Sequence, residues 1–142
     1  MSRYFDLRST VLIVVGHGIL AEEEDRPLAY ELKQAVSART GGGEGRAAVV
    51  VTDVWFLNHE LADFFPAIAV GGPGANELTA EIYKELPVAV TRDQHVFVQM
   101  AAEGKRAALW GMDEAGTREA VRVFATEGLL ERFLALVWRR AD

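Results

Sequence analysis

The sequence predicts an α/β fold: a single three-layer sandwich domain with a mainly parallel sheet and an antiparallel hairpin at one edge. Apolar segments such as Val11–Val15 alternate with helix-like segments along the chain, and continuous apolar runs are typical of strands covered on both faces. Glycine follows several of these segments directly, at the turn expected between a buried strand and the next helix. No linker divides the 142 residues, so we expect one domain over residues 1–142.

Three buried strands, separated by helical segments, are predicted in the first half of the chain. They are Thr10–Val15, Ala47–Asp53 and Ala67–Val70. Pro27 begins a helix that continues to about Ser37, because proline is tolerated in the first turn of a helix. The acidic run from Glu22 to Asp25 is predicted to be a solvated segment that leads into this helix. Trp55–Pro66 is predicted as a loop with a short helix.

The second half is predicted to contain three helices, a hairpin and a further strand. Asn76 begins a helix that ends near Glu85, before Pro87. Val88–Thr91 and Gln94–Met100 are the predicted strands of the hairpin. The last three elements are the strand Arg106–Trp110, a helix capped by Asp113 or Thr117 that ends near Thr126, and an amphipathic helix at Leu129–Arg140.

The composition excludes several classes of function. The net charge is −6 and no basic cluster is present, so we expect neither nucleic-acid binding nor attachment to an anionic membrane. Cysteine is absent, which excludes disulfides, thiolate catalysis and cysteine-based zinc sites. The charged segment 1–10 predicts no signal peptide, and the longest apolar run, Val11–Val15, is too short to span a membrane. We therefore expect a soluble, cytoplasmic protein.

The segment Ile68–Leu78 gives the strongest indication of a ligand site. A short strand leads into a turn rich in glycine, and Asn76 then offers a cap for the following helix. Glycine lets the backbone come close to a ligand, and a helix N-terminus behind such a turn is suited to anions. We expect Gly71, Gly72, Gly74 and Asn76 to bind an anionic or polar small molecule through backbone N–H groups.

Polar residues follow the other predicted strands at the same edge, since the carboxyl ends of parallel strands lie together. His17 follows the first strand, Asp53 and Asn58 follow the second, and Asp113 follows the last. We expect these side chains to converge on the ligand. If the protein is an enzyme, His17 or His59 is the predicted base, and Asp53 could orient it.

A metal-dependent enzyme built on histidine and carboxylate ligands is a lesser alternative. The candidate ligands are His17, His59, His95, Asp53, Glu60 and Asp63. His17 and His59 follow predicted strand ends, whereas His95 lies in the hairpin and is expected at another edge. No H-E-x-x-H spacing is present, so the sequence assigns no metal site.

No cofactor is assigned either. Gly16–Ala21 fits the G-x-G-x-x-A pattern of dinucleotide-binding proteins, but the acidic run that follows would repel a pyrophosphate. Neither a P-loop nor the Gly-x-Ser-x-Gly turn of a serine hydrolase occurs in the chain.

An aromatic cluster between the second and third strands supports three alternative interpretations. Its members are Trp55, Phe56, Phe64 and Phe65. They could line a pocket, form a subunit interface, or belong to the core. The interface would make the protein a non-catalytic, homo-oligomeric assembly module, which is the main alternative to small-molecule binding.

Three segments resemble a family of small prokaryotic α/β proteins of uncharacterised activity. They are Asp53–Asn58, the loop Val70–Asn76, and Ala108–Asp113 together with Thr117. The last two are also distantly similar to a domain of archaeal surface-layer proteins, which has a similar GGP-x-x-N turn. The first resemblance, over roughly residues 53–142, implies no particular activity, whereas the second implies a structural or assembly role.

Overall fold

The computed structural model describes residues 8–41 and 45–141, with the side chains of residues 139–141 left out. The segment considered above as a leader therefore lies mostly outside the described residues. Six strands form one sheet: β1 (Thr10–Val15), β2 (Ala47–Thr52), β3 (Ala67–Val70), β4 (Val88–Arg92), β5 (Val96–Met100) and β6 (Arg106–Gly111). The helices are α1 (Arg26–Ser37), α2 (Asp53–Asn58), α3 (Glu77–Ile82), α4 (Glu114–Thr126) and α5 (Leu129–Ala141).

The strand order is β2-β1-β3-β6-β5-β4. The first four strands in this order are parallel, whereas β5 pairs antiparallel with both β6 and β4. This confirms the predicted α/β fold, with its mainly parallel sheet and its antiparallel edge hairpin. Within the described residues, no helix is both long enough and apolar enough to cross a membrane.

The sheet separates two apolar clusters, as a three-layer sandwich requires. Val11, Ile13 and Val15 of β1 belong to the cluster that includes α1, α4 and α5. Leu12 and Val14 belong to the other cluster, which includes residues of α2 and α3. Successive residues of β1 thus point to opposite faces, and both faces are covered. This explains why the strand is continuously apolar.

Two predicted strand boundaries were wrong. A helix cap ends one strand one residue early, and a tight turn makes another strand begin two residues late. Asp53 is the first residue of α2 rather than the end of β2, because Thr52 Oγ1 caps the helix and accepts a hydrogen bond from Trp55 N at 3.1 Å. The second hairpin strand begins at Val96 rather than Gln94. Asp93 and Gln94 have φ angles of 53° and 56°, which form the tight turn between β4 and β5.

The predicted helix at Asn76–Glu85 is shorter in the structure, where α3 ends at Ile82. The N–H groups of Glu85 and Leu86 both donate to the Ile82 carbonyl, which closes the helix in tighter turns. The acidic segment before α1 also differs from its prediction. Residues Ala21–Asp25 form a π-helical turn in which Asp25 is buried, so this segment is not solvated throughout.

Candidate functional site

Three polar side chains meet at the carboxyl edge of the parallel strands. His17 follows β1, Asp53 begins α2 directly after β2, and Glu77 begins α3 after β3. His17 Nδ1 lies 2.9 Å from Asp53 Oδ1 and 3.6 Å from Glu77 Oε2. Of the two histidines that the sequence offered as partners of Asp53, His17 is therefore in contact with it, although 36 residues separate the two in sequence. Glu77 was not identified from the sequence.

The site lies at the point in the sheet where the order of the strands reverses. The helix after β1 packs on one face, whereas α2 and α3 pack on the other. β2 and β3 lie on opposite sides of β1. The segments that follow the carboxyl ends of the adjacent strands β1 and β3 therefore run to opposite faces of the sheet. Ligands of open α/β sheets bind at such topological switch points.

Asp53 is the buried residue of the site, and hydrogen bonds fix its side chain. Its side chain is buried and accepts backbone hydrogen bonds from Val54 N at 2.7 Å and from Glu77 N at 2.8 Å. These two bonds and the contact with His17 satisfy both carboxylate oxygens. Asp53 therefore holds the start of α2, the start of α3 and the His17 ring in one arrangement.

The ring of His17 is partly exposed to solvent, and its Nδ1 is in contact with the carboxylate of Asp53. The side chain is 54% exposed. The hydrogen bond with Asp53 and the charge of that carboxylate raise the pKa of His17, and Glu77 adds to the increase. A carboxylate only accepts hydrogen bonds, so Nδ1 carries the proton that faces Asp53. Nε2 is then the ring nitrogen that a ligand can reach, as a proton acceptor or, in the charged ring, a donor.

The glycine loop offers fewer free donors than the sequence predicts. Gly71 N donates to the Leu109 carbonyl, and Asn76 N donates to the Gly72 carbonyl. Within the described residues, Gly72 and Gly74 donate no backbone hydrogen bond. Of the four predicted backbone donors, these two are the ones available to a ligand.

Asn76 has a structural role that its cap position only partly predicts. The side chain is buried. Its Nδ2 donates to the Val14 carbonyl at 2.9 Å and to the Val70 carbonyl at 3.0 Å. Its Oδ1 accepts from Leu78 N and Thr79 N at the start of α3. The amide thus joins the ends of β1 and β3 to the helix, and its polar atoms bond within the protein.

Gly16 shows why the dinucleotide pattern appears at the first turn. A Cβ added at Gly16 would lie 1.9 Å from the Ala75 carbonyl oxygen. The glycine therefore allows the turn after β1 to contact the loop after β3. This close approach of the two loops accounts for the glycine at position 16 without a nucleotide.

Asp25 is a titratable group of this edge that sequence reasoning missed. Its side chain is 6% exposed, and a Cβ added at Gly71 would lie 2.7 Å from its Oδ2. Burial, together with the nearby charges of Glu24 and Glu114, raises the pKa of Asp25 to about 6. The φ angle of Gly71, 118°, allows the loop to pass this carboxyl closely.

Three other candidate residues bond elsewhere. Asn58 Nδ2 donates back to the Val54 carbonyl within α2. His59 is exposed and stacks on the Trp55 ring at 4.4 Å between centroids. Asp113 caps α4, where its Oδ1 accepts from Gly116 N at 2.8 Å. None of these contacts brings a side chain to His17 or Asp53.

His95 lies at a different place from the one predicted. Its carbonyl accepts a hydrogen bond from Met112 N at 2.9 Å. Because β5 runs antiparallel to β6, the start of β5 lies beside the end of β6, at the same carboxyl edge. The expectation that His95 occupies another edge was wrong.

The aromatic cluster divides between core and surface. Phe56 and Phe65 are buried, whereas Trp55 is 40% exposed and Phe64 is 58% exposed. The core interpretation therefore holds for Phe56 and Phe65. The side chains of Trp55 and Phe64 are accessible to a ligand or a second protein chain.

Comparison with known proteins identifies no family for this chain. No family model matches it, and no curated protein matches it. The argument for function therefore rests on the geometry of the residues at the carboxyl edge.

Proposed function

We propose that this protein binds a small polar or anionic molecule at the carboxyl edge of β1 and β3, with His17 as the main contact. The observation that carries this proposal is the 2.9 Å contact between His17 Nδ1 and the buried carboxylate of Asp53 at the switch point. A buried carboxylate that orients a half-exposed imidazole is an arrangement suited to binding and to proton transfer.

Each neighbouring group has a distinct part in this proposal. Nε2 of His17 contacts the ligand, and the N–H groups of Gly72 and Gly74 bind its oxygen atoms. Glu77 and Asp25 place negative charge around the site. This charge favours a ligand that is polar or carries a single acidic group over a polyphosphate, because like charges at short range repel.

A thermal-shift screen tests the proposal. The panel contains mononucleotides, phosphorylated sugars, simple carboxylic acids and inorganic anions, each with and without a chelator. A ligand at about 100 times its Kd stabilises the fold by about 2.7 kcal/mol, which raises the Tm of a domain of this size by roughly 5–10 °C. We expect His17→Gln to abolish the shift and the matched variant His59→Gln to keep it. A panel without shifts, or a shift that both variants keep, would contradict this site.

A second candidate function is homo-oligomeric assembly, which exposed apolar side chains favour. Five of them lie on α2 and in the segment 61–64 that follows it: Val54, Trp55, Leu57, Leu61 and Phe64. Contiguous exposed apolar surface is typical of protein interfaces. Sedimentation of the wild type and of the double variant Trp55→Ser/Phe64→Ser distinguishes the two functions. Assembly predicts an oligomer that the double variant dissociates, whereas a wild-type monomer would argue against it.

A further inference from the structure

We propose that His17, Asp53 and Glu77 bind a divalent transition-metal cation, and that this cation allows the site to accept an anionic ligand. This inference rests on the proposed function, since it names what holds the anionic group. The sequence assigned no metal, because the third ligand, Glu77, comes to the other two only through the fold.

The first argument is the spacing of the donor atoms. His17 Nδ1 lies 2.9 Å from Asp53 Oδ1 and 3.6 Å from Glu77 Oε2, and one donor atom from each residue lies within 4.8 Å of the others. Donor atoms at about 2.1 Å from an ion lie about 3.0 Å apart at an octahedral centre and about 3.4 Å apart at a tetrahedral one. The two contacts of Nδ1 bracket these values.

The second argument is the balance of charge. Two carboxylates face one imidazole, and among the described residues the ion pairs of Asp53 and Glu77 are with His17 alone. Asp25 adds a further acidic group beside Gly71 of the adjacent loop. A divalent cation would balance this charge and would attract an anion to a place that otherwise repels it.

The third argument is that the ligands are already held in place. Asp53 accepts the N–H of Glu77 at 2.8 Å, so the backbone of one carboxylate ligand is fixed by the other. Glu77 is 61% exposed and His17 is 54% exposed, which leaves the outer side of the cluster open to solvent. Three protein ligands with an open side are typical of sites that bind a further small molecule at the metal.

The donor set indicates the type of cation. An imidazole nitrogen with two carboxylates suits Zn²⁺ or Mn²⁺ better than Ca²⁺ or Mg²⁺, which prefer oxygen ligands alone. Binding of the cation to the charged ring would release the proton of Nδ1 to solvent and leave the proton of Nε2 in place, whereas in the neutral ring the one proton would move from Nδ1 to Nε2.

Titration calorimetry of the full chain, dialysed against a chelator and then freed of it, tests the proposal with ZnCl₂ and with MnCl₂. We expect one cation per chain. We expect His17→Gln and Glu77→Gln each to weaken the Kd about tenfold or more, because each removes a ligand. The matched variants His59→Gln and Glu60→Gln, which change exposed residues outside the cluster, should bind as the wild type does. Circular dichroism checks that all four variants fold.

The results separate this inference from the proposed function. No binding of either cation, or equal binding by all four variants, would overturn the cation site. A ligand shift that persists with chelator in the screen above keeps the proposed function while it rejects a role for the cation in ligand binding. Cation binding that only the His17 and Glu77 variants lose supports the inference even if no small molecule in the panel binds.

Discussion

At the scale of the residue, the chemistry of His17 depends on a partner that is distant in sequence. Asp53 is buried and receives backbone N–H groups at fixed distances, so its charge is held next to the ring. The same histidine on an isolated turn would have neither a fixed orientation nor a raised pKa. The contact between these two side chains therefore decides what His17 can do.

A proton NMR titration of the His17 ring measures this effect. We expect its pKa to exceed 6.5, the ordinary value, and Asp53→Asn to lower it, because the hydrogen bond with the carboxylate is the largest cause of the increase. A raised histidine pKa stabilises the fold below the unfolded value of 6.5, and this contribution is lost as pH rises through the folded value. Asp63→Asn, at an exposed site, is the control. An unchanged His17 titration in Asp53→Asn would contradict the contact.

Asp25 should make stability depend on pH in the acidic range. Its pKa is raised from 3.8 to about 6, so the folded protein binds this proton more tightly than the unfolded chain. The contribution of this group to stability is therefore fully present below pH 3.8 and is lost as pH rises through about 6. We expect Asp25→Asn to become more stable relative to the wild type over this range, by at most about 3 kcal/mol. Urea unfolding at several pH values measures the difference.

The control for this experiment is Glu23→Gln, which changes an exposed carboxylate of the same helical turn. Its stability relative to the wild type should vary little with pH. If Asp25→Asn behaves in the same way as this control, the pKa of Asp25 is not raised by burial and by the charges of Glu24 and Glu114.

At the scale of the element, one side chain decides how α3 meets the sheet. The Asn76 amide accepts from the first N–H groups of the helix and donates to carbonyls at the ends of β1 and β3. A helix of this length is not stable by itself in water. Its position, and with it the position of Glu77, therefore depends on these hydrogen bonds and on packing.

We expect Asn76→Ala to lower the free energy of unfolding by about 2–4 kcal/mol, since it removes a helix cap and leaves buried carbonyls without a donor. Asn58→Ala, which changes an exposed amide, should lower it by less than about 0.5 kcal/mol. Asn76→Asp separates the two roles, because aspartate keeps the cap acceptor but lacks the donor. Denaturant unfolding measures all three variants, and similar values for Asn76→Ala and Asn58→Ala would refute this role.

At the scale of the whole molecule, the two apolar clusters depend on one sheet. Alternate residues of the same strands contribute to both clusters. Loss of the sheet would therefore expose both clusters together, so we expect one cooperative unfolding transition.

Tryptophan fluorescence tests this expectation on both faces. Trp110 lies in the cluster with α2 and α3, where it stacks on Phe97, whereas Trp138 lies in the opposite cluster. In a Trp55→Phe background, variants that retain only Trp110 or only Trp138 should each show a single transition. The slope of the free energy of unfolding against denaturant should agree between the two variants. Two transitions in one variant would divide the chain into separately folding units.

Local patterns predicted most of the fold but only part of the candidate site. The strand limits at Thr10–Val15 and Ala67–Val70 agree with the structure, because buried parallel strands are marked by continuous apolar runs that end at glycine or before it. The end of α3 and the turn at Asp93 were missed, since backbone conformation in turns decides them. Asp25 was missed because it ends an acidic run that is typical of a solvated segment, and only the packing of its turn shows that it is buried.

The sequence by itself determined the α/β class, the order of the elements and the edge where polar residues gather, since these depend on hydrophobic periodicity and on helix signals within short segments. Only the tertiary structure decided that Glu77 joins His17 and Asp53, that Asn76 faces inward and that Asp25 is buried. The physical reason is distance along the chain. The cluster takes one residue after each of β1, β2 and β3, and only the sheet order places those three ends side by side.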